Sequence, residues 1–325
     1  MDKRNVPAIG KLKKKAQSSK ILTSLGFFIF SKEMCIFGDQ LLMNKIIVTG
    51  CNGQLGKAIN DYYKDSKEYE LVNTDVDELD ITNVDAVMKF VEEVKPYAII
   101  NCAAYTNVNA CESEEDLAFR INAIGPRNLA IAAEKFDAKL VHVSTDYVFA
   151  GDASSPYKEF DPVCPQSAYG RTKLQGELFV KQFSKRFFIV RTAWLYGEGK
   201  NFVRTMLKLA ETNESVRVVH DQVGSPTSAK ELAKAIGELV PTDNYGVFHG
   251  TCEGVCSWAE FTEEIFRLAG LSTKVERITT DQYPTPAKRP AYSVLDKYMF
   301  RMTMNYRFAD WRDAIKEYMD VEKNK

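Results

Sequence analysis

The stretch "MNKIIVTGCNGQLGKAIN", residues 43–60, predicts a strand, a turn and a helix in direct succession. Its first part, "KIIVTG", is a β-branched run that ends in glycine, a pattern typical of a buried parallel strand. Gly50, Gly53 and Gly56 follow at three-residue spacing. A glycine turn in this position lets a phosphate group approach the backbone and face the positive N-terminus of the helix. The stretch therefore predicts a dinucleotide site.

An acidic residue at the end of the next strand supports this interpretation. "EYELVNTD" predicts a second strand that ends at Asp75, about 20 residues after Gly56, where a carboxylate would bind the ribose of a dinucleotide. The alternative is a turn aspartate without a ligand. The G-x-x-G-x-x-G spacing differs from the G-x-G-x-x-G of dehydrogenase-type Rossmann domains. It resembles the pattern of the extended short-chain dehydrogenase/reductase superfamily.

Strand and helix patterns alternate along most of the chain. Such alternation is typical of a parallel sheet covered by helices on both faces. We predict an α/β fold, a Rossmann-type doubly wound parallel sheet with a smaller C-terminal substrate-binding domain. The NAD(P)-binding Rossmann domain should span residues 43–200, with 215–240 returning to it, and residues 241–325 should form mainly the substrate-binding domain. One long helical region should be interrupted near Gly125 and Pro126.

The first 42 residues do not fit this alternation. A basic cluster, Lys11 and residues 13–15, precedes the apolar run "ILTSLGFFIF". This order is similar to that of a signal peptide, but no small-x-small cleavage site follows. We expect residues 1–42 to form an extension outside the fold, which would begin at Met43. A weak tether to a membrane or to a partner is the alternative.

Composition excludes several classes of function. The formal net charge is −1, with 27% charged residues, so the chain lacks the positive charge needed to neutralise nucleic-acid phosphates. There is no run of about 18 or more apolar residues to predict a membrane span. The seven cysteines are an odd number, and Cys252 and Cys256 lack a second ligand pair at zinc spacing. We expect reduced thiols, no metal site and a cytoplasmic location.

A Y-x-x-x-K pair predicts the catalytic centre. Tyr169 and Lys173 stand in "SAYGRTKLQGE", and on a helix their spacing puts both side chains on one face. A free phenol has a pKa of about 10, which a neighbouring ammonium should lower so that Tyr169 can act as general acid or base. Ser144 or Thr145 in "VHVSTDYVF" should supply a third hydroxyl at a strand's carboxyl end, where ligands bind in such sheets. His142 is expected to be a packed strand residue.

Longer segments resemble those of one known family. The dTDP-4-dehydrorhamnose reductases carry similar segments in the same order, and the resemblance covers about residues 43–320. It implies NADPH- or NADH-dependent reduction of the C4 ketone of dTDP-4-dehydro-6-deoxy-L-mannose to dTDP-L-rhamnose, the last step of dTDP-rhamnose biosynthesis. The segments are "GCNGQLGKAI", "NCAAYTNVNACE", "STDYVFAGD", "PYKEFDPVCPQSAYGRTKLQGE", "RTAWLYG", "DQVGSPT" and "KRPAYSVLD".

The resemblance also implies roles for individual residues. Tyr169 would give a proton to the developing alkoxide, Thr145 would hydrogen-bond the same oxygen, and Lys173 would hold the cofactor ribose. The implied cofactor-binding residues are Gly50, Gly53, Gln54, Leu55, Gly56, Asp75, Asp80, Ile81, Ala103, Ala104, Tyr105, Tyr169 and Lys173. The implied substrate-binding residues are Thr106, Asn107, Val108, Thr145, Trp194, Gln222 and Arg289. Arg289 could pair with the diphosphate or be a surface residue of a Pro-rich loop.

One position departs from the family pattern. Some members bind magnesium at a dimer interface through a glutamate at the position of Ala58, whose methyl group cannot ligate a metal. Monomer and homodimer therefore both stay open.

Two other functions also stay open. One is a related nucleotide-sugar reductase or epimerase; dehydration is disfavoured, because Asp146 and Tyr147 offer one carboxylate where a dehydratase would carry an acidic pair. The other is a non-catalytic dinucleotide-binding protein that resembles the regulatory subunit of methionine adenosyltransferase. The intact set of Thr145, Tyr169 and Lys173 favours an enzyme.

Overall fold

The computed structural model describes residues 43–323, so the predicted extension at residues 1–42 lies outside the described residues. The strands are β1 (Asn44–Thr49), β2 (Tyr69–Thr74), β3 (Ala98–Asn101), β4 (Lys139–Thr145), β5 (Phe187–Thr192), β6 (Leu195–Tyr196), β7 (Ser215–Val219), β8 (Val223–Gly224), β9 (Thr227–Ser228), β10 (Gly246–His249), β11 (Cys256–Ser257) and β12 (Lys274–Ile278). The helices are α1 (Gln54–Tyr63), α2 (Val84–Val94), α3 (Val108–Cys111), α4 (Glu115–Phe119), α5 (Gly125–Lys135), α6 (Ala168–Phe183), α7 (Phe202–Ala210), α8 (Ala229–Leu239), α9 (Trp258–Ala269) and α10 (Trp311–Lys323).

Six parallel strands form the central sheet, in the order β10-β5-β4-β3-β1-β2. Thr49, the last residue of β1, pairs with Thr74 on one side and with Asn101 on the other, so three strands end together. Because β1 lies between β2 and β3, the chain reverses its direction across the sheet there and leaves a crevice at the carboxyl ends. The predicted α/β fold of Rossmann type is confirmed.

Successive residues of β1 face opposite sides of the sheet, as the period of two in a strand requires. Ile46 and Val48 pack in a core with α1 and α8, whereas Ile47 packs in a second core with α2 and α5. All three side chains are fully buried. Helices therefore cover both faces, which explains why this strand is continuously apolar in sequence.

The long helical region is continuous, and it changes from α-helical to π-helical and back to α-helical hydrogen bonding. Helices α4 and α5 are joined by a π-helical turn at Arg120–Ile124, directly before the predicted interruption. Pro126 lies in the first turn of α5, a position that proline tolerates. Gly125 packs so closely on the core between the sheet and α2 and α5 that a Cβ atom there would lie 2.5 Å from Ile81 Cδ1.

The C-terminal part packs around a third apolar core, separate from the two cores on the faces of the central sheet. Helices α7, α9 and α10 surround Phe261, Ile265 and Trp311. Three two-stranded sheets border this core, and they pair β7 with β12, β8 with β11 and β6 with β9.

These pairings bear on two details of the predicted domain division. Strand β7, expected to return to the Rossmann domain with the rest of residues 215–240, pairs with β12 instead, and α8 is the element of that range that packs on α1. Residues of β7 alternate between buried and more exposed, which suits a ribbon with one face on a core. Strand β10 lies in the range expected to form mainly the substrate-binding domain, and it forms an edge of the central sheet. The division at residues 200 and 241 otherwise stays a prediction.

Within residues 43–323, no helix combines the length and the apolar character that crossing a membrane requires.

Candidate active site

A cavity of about 910 Å³ opens at the carboxyl ends of the central strands. The turn after β1 and the residues that follow β2 and β3 line one part of it. Thr145, Tyr169 and Trp194 line another part. The volume lies near the upper end of the range of about 300–1,000 Å³ that is usual for small-molecule sites. One cavity therefore joins the predicted dinucleotide turn to the predicted catalytic centre.

The glycine turn is built so closely that side chains would block it. Gly50 has a φ of +64°, and a Cβ atom there would lie 2.8 Å from the Ala103 backbone. At Gly56 a Cβ atom would lie 2.4 Å from the Gly50 carbonyl oxygen. The first turn of α1 thus stays open to the cavity, and its free N–H groups can receive a phosphate.

Asp75 stands beside this turn. Its carboxylate accepts hydrogen bonds from the backbone N–H of Asn52 at 3.2 Å and from that of Val76 at 2.9 Å. The strand end and the glycine turn are therefore held together, and Asp75 lines the cavity next to the turn.

Most of the implied cofactor residues line the cavity. They are Gly50, Gly53, Gln54, Leu55, Gly56, Asp75, Asp80, Ile81, Ala103, Ala104, Tyr169 and Lys173. Tyr105 is not among the lining residues: its backbone N–H donates to Asn122 Oδ1 at 2.8 Å and its hydroxyl is hydrogen-bonded to Glu114. The direction of its side chain, which sequence does not reveal, turns Tyr105 away.

A buried polar atom in this part of the cavity fits the binding of a dinucleotide. Among the described residues, the Gln54 side-chain oxygen is buried without a hydrogen-bond partner, and Gln54 lies in the cavity wall. A buried polar atom of this kind costs free energy unless a partner is supplied. A ligand with hydroxyl groups can supply one.

The three side chains predicted to be catalytic line the same cavity. Ser167 caps α6 by accepting a hydrogen bond from the Gly170 N–H at 3.1 Å, which fixes the start of the helix next to Tyr169. Lys173 lies one turn further and donates from Nζ to the Val143 carbonyl oxygen at 2.6 Å. Thr145, at the end of β4, is hydrogen-bonded to Tyr169. The three side chains therefore meet at one edge of the sheet.

The protonation of Tyr169 differs from the expectation. Burial raises the pKa of its phenol well above the usual value, Asp146 adds to the rise, and the hydrogen bond with Thr145 partly offsets it. Burial also lowers the pKa of Lys173 to about 8. The expected lowering of the phenol pKa by Lys173 is wrong, because burial outweighs the interactions that lower this pKa. Tyr169 therefore keeps its proton near neutral pH.

Asp146 is a buried acid in the same wall. Thr145 donates from Oγ1 to Asp146 Oδ1 at 2.8 Å. Burial raises the pKa of this carboxyl to about 7, so near neutrality it exchanges a proton readily. Asp146 lines the cavity, although sequence analysis used it only to argue against dehydration. Its position directly after Thr145 was the available signal.

Ser144 has a different role from Thr145. Its hydroxyl donates to Glu177 Oε1 at 2.6 Å, and Glu177 is held by Arg191 through two hydrogen bonds of 2.8 Å. This network ties β4 to α6 one turn beyond Lys173. His142 is buried and lies 3.0 Å from the Asn101 amide, and burial lowers its pKa well below the usual value. The interpretation of His142 as a packed strand residue agrees with this geometry.

The far side of the cavity contains most of the implied substrate residues. Thr106, Val108, Trp194 and Gln222 line it together with Thr145. Asn107 is not among the lining residues, and its side chain instead caps α3 by accepting from the Ala110 N–H at 3.2 Å.

Arg289 is also outside the lining residues. It donates from Nη1 to the Tyr147 hydroxyl at 3.4 Å, and both Tyr147 and the following Pro290 line the cavity. The guanidinium thus lies outside the cavity lining, behind the Tyr147 side chain. Arg289 supports the wall through Tyr147.

Comparisons with known proteins identify the family. A family profile described as RmlD substrate binding domain matches residues 43–324. A solved dTDP-4-dehydrorhamnose reductase from Clostridium acetobutylicum is 53% identical with a TM-score of 0.85, and the match covers 86% of this chain and 99% of that one. The chain belongs to the dTDP-4-dehydrorhamnose reductase family.

Two further relatives of this reductase family match over similar lengths. The spore coat polysaccharide biosynthesis protein SpsK of Bacillus subtilis is 40% identical, over 85% of this chain and 97% of its own length. A dTDP-4-dehydrorhamnose reductase from Bacillus anthracis, solved in complex with NADP, is 42% identical with a TM-score of 0.84, over 86% of this chain and 100% of that one.

Several lining residues of this family member were not predicted from sequence. They are Asn52, Val76, Leu79, Thr82, Cys102, Ile121, Val143, Ala193, Leu195, Glu198, Gly199, Lys200 and Trp258. Some lie next to predicted residues in the sequence, and this adjacency could have identified them. Trp258 and the segment around Lys200 had no such signal, because tertiary packing brings them to the wall.

No group of three or more His, Cys, Asp or Glu side chains is arranged to hold a metal ion within residues 43–323. Ala58 packs partly buried against the core that contains α1 and α8.

Proposed function

We propose that the chain is an NAD(P)H-dependent oxidoreductase that reduces the C4 ketone of dTDP-4-dehydro-6-deoxy-L-mannose to dTDP-L-rhamnose. The observation that carries the proposal is the convergence of Thr145, Tyr169 and Lys173 on the cavity that also contains the glycine turn. Membership of the reductase family supports the same reaction and substrate class.

Both NADPH and NADH are proposed as cofactors. The open glycine turn and the Asp75 carboxylate support dinucleotide binding. The relative from Bacillus anthracis was solved with NADP, which favours NADPH. Asp75 favours NADH, because a carboxylate repels the 2′-phosphate of NADPH.

Tyr169 is the proposed proton donor. A bound reduced nicotinamide supplies the hydride to the ketone carbon. Because its raised pKa keeps the phenol protonated near neutral pH, Tyr169 can transfer its proton to the oxygen on which negative charge develops. The carbonyl thus gains one hydride and one proton and becomes a secondary alcohol.

Thr145 and Lys173 are proposed to assist this proton transfer from fixed positions in the cavity wall. Thr145 is the second hydrogen-bond donor toward the developing alkoxide: its one hydroxyl proton, which points at Asp146 in the absence of substrate, would turn to the substrate oxygen as negative charge develops there. Lys173 is anchored by Val143 and lies close enough to the cavity to hydrogen-bond a ribose. Proton transfer leaves Tyr169 as a phenolate, and Asp146, with a pKa of about 7, can resupply its proton by way of the Thr145 hydroxyl.

The test is turnover of the named sugar nucleotide by the full chain and by Tyr169→Phe, followed by the loss of reduced-nicotinamide absorbance. Removing a general acid typically costs about 10²–10⁴ in rate, so we expect a loss of at least about a hundredfold. Tyr283→Phe, at a side chain that is 60% exposed, is the matched control and should keep full activity. Cofactor binding without any turnover by the wild type would contradict the proposal and favour a non-catalytic dinucleotide-binding protein.

The proposed setting is the cytoplasm, where the reduced cofactor is available and thiols stay reduced. The described cysteines are free, which supports this location. We propose a monomer or a homodimer that needs no bridging metal. Light scattering of the purified chain with and without a chelator tests this, since a chelator-dependent change of mass would contradict it.

A further inference from the structure

We propose that Trp258 is a positioning residue that holds the indole of Trp194 as a wall of the sugar pocket. The two rings are stacked, with centroids 3.5 Å apart and an angle of 8° between their planes. Both residues line the cavity. The proposal rests on the proposed function for the identity of the sugar nucleotide, and the stacking itself does not depend on it.

Trp194 needs such a support because its backbone is strained. Its φ is +49°, in the left-handed region that bulky side chains rarely adopt. A residue in this region stays there when the surrounding structure holds it, and such residues concentrate at functional sites. The Trp194 carbonyl accepts a hydrogen bond from the Thr227 N–H at 3.1 Å, which fixes the backbone. The stacked ring of Trp258 fixes the side chain.

A second contact restricts the Trp194 ring. The backbone of Gly224 lies so near that a Cβ atom there would be 2.6 Å from Trp194 Cε2. Gly224 pairs with Cys256 in the β8–β11 ribbon, two residues before Trp258. The ribbon therefore brings both neighbours of the Trp194 ring into place together.

Trp258 is itself held from behind. Its ring centroid lies 4.4 Å from that of Phe202, which in turn stacks on Phe261 at 5.9 Å. Ser257 caps α9 with a reciprocal capping box through Glu260, so the helix start that bears Trp258 is fixed. An aromatic series thus runs from the C-terminal core to the cavity and ends at Trp194.

A flat indole at this place suits the carbon-bound hydrogens and the methyl group of a 6-deoxy sugar. If Trp258 is removed, Trp194 can leave its strained conformation and the pocket loses a wall. Binding of the sugar nucleotide should weaken, whereas proton transfer depends on Thr145, Tyr169 and Lys173 and should continue. The expected signature is a change in KM for the sugar nucleotide without a matching change in kcat.

The experiment compares Trp258→Leu, Trp258→Phe and Trp311→Phe with the wild type in the full chain. The chain has three tryptophans, and two stacked indoles give an exciton couplet in the far-ultraviolet circular dichroism. We expect Trp258→Leu to lose the couplet and to raise KM for the sugar nucleotide about fivefold to tenfold, the size expected for one lost aromatic pair. The cofactor KM should stay within about twofold.

The other two variants separate positioning from packing. Trp258→Phe keeps a ring against Trp194 and should restore most of the affinity although the indole couplet is lost. Trp311→Phe, in the C-terminal core, should keep both the couplet and KM. A wild type without a couplet, or a Trp258→Leu protein with unchanged KM, would overturn the proposal. Failure of the proposed function differs from both, because the wild type would then show the couplet and no turnover.

Discussion

The hydroxyl of Thr145 donates a hydrogen bond to the carboxyl of its neighbour Asp146, and both side chains are buried in the wall of the catalytic cavity. Tyr169 and Tyr147 face this carboxyl, and neither supplies a positive charge. Burial therefore decides its protonation and raises the pKa of Asp146 from 3.8 to about 7. A proton-holding carboxyl beside a proton donor has consequences for both stability and activity.

Asp146 should make stability depend on pH. Because its folded-state pKa is higher than its unfolded one, the stabilisation is complete below pH 3.8 and is lost as the pH rises through about 7. The free energy of unfolding of the wild type relative to Asp146→Asn should thus fall by roughly 3 kcal/mol between pH values of about 5 and 8.5, since part of the stabilisation is already lost between pH 3.8 and about 5. Urea unfolding at pH values of about 5 and 8.5 measures it; parallel curves for the two proteins would contradict the assignment.

The buried ion pair of Glu177 and Arg191 should contribute to the stability of the fold, because each charge compensates the other. Glu177→Gln leaves the guanidinium without its charge partner, so we expect a loss of about 3–5 kcal/mol in the free energy of unfolding. Glu177→Leu with Arg191→Met should recover much of this loss, because both charges are then gone.

The exposed pair of Glu115 and Arg171 is the control for that experiment, since both side chains are 47% exposed. Glu115→Gln should cost less than about 1 kcal/mol. Equal losses for Glu115→Gln and Glu177→Gln would show that burial does not set the difference.

The two glycines at the start of α1 should differ in tolerance. Gly56→Ala places a Cβ atom 2.4 Å from a backbone oxygen, whereas Gly53→Ala places it at 3.3 Å. We expect Gly56→Ala to lower the free energy of unfolding by about 1–3 kcal/mol, as overpacking does, and to weaken dinucleotide binding. Gly53→Ala should cost much less stability. Thermal unfolding and cofactor titration of both variants decide it, and a reversed order would contradict the packing argument.

Asp75 should set the preference between the two cofactors. Asp75→Asn removes the charge that repels a 2′-phosphate while keeping a hydrogen-bonding side chain. The ratio of kcat/KM for NADPH to that for NADH should rise about tenfold, which corresponds to about 1.4 kcal/mol. Asp77→Asn, which changes the same net charge outside the cavity lining, should leave the ratio unchanged. An unaltered ratio in Asp75→Asn would show that the carboxylate does not face the 2′ position.

Local features were predictable from sequence, and tertiary ones were not. The glycine turn, Asp75 and the Tyr169–Lys173 pair follow from strand and helix periodicity, because each depends on nearby residues. Tyr105 and Asn107 belong to a segment whose other members line the cavity, yet their side chains turn to Glu114 and to the N-terminus of α3. The hydrogen bond from Lys173 to Val143 depends on how α6 lies on β4. Trp258 is brought to the cavity by the pairing of β8 with β11, a long-range contact that the local sequence does not predict.

The edge position of β10 limits how this protein can be recombined with its relatives. The chain completes five sheet strands, forms α7 and the short strands β6–β9, returns to the sheet with α8 and β10, leaves again for α9 and β12, and then adds Phe300 and Phe308 to the core under the sheet. A single crossover near residue 200 would therefore pair one parent's strands with another parent's edge strand and core aromatics. Exchange of sugar specificity between family members should succeed by grafting the short segments around Gln222, Trp258 and Arg289, and not by swapping the C-terminal part as one block.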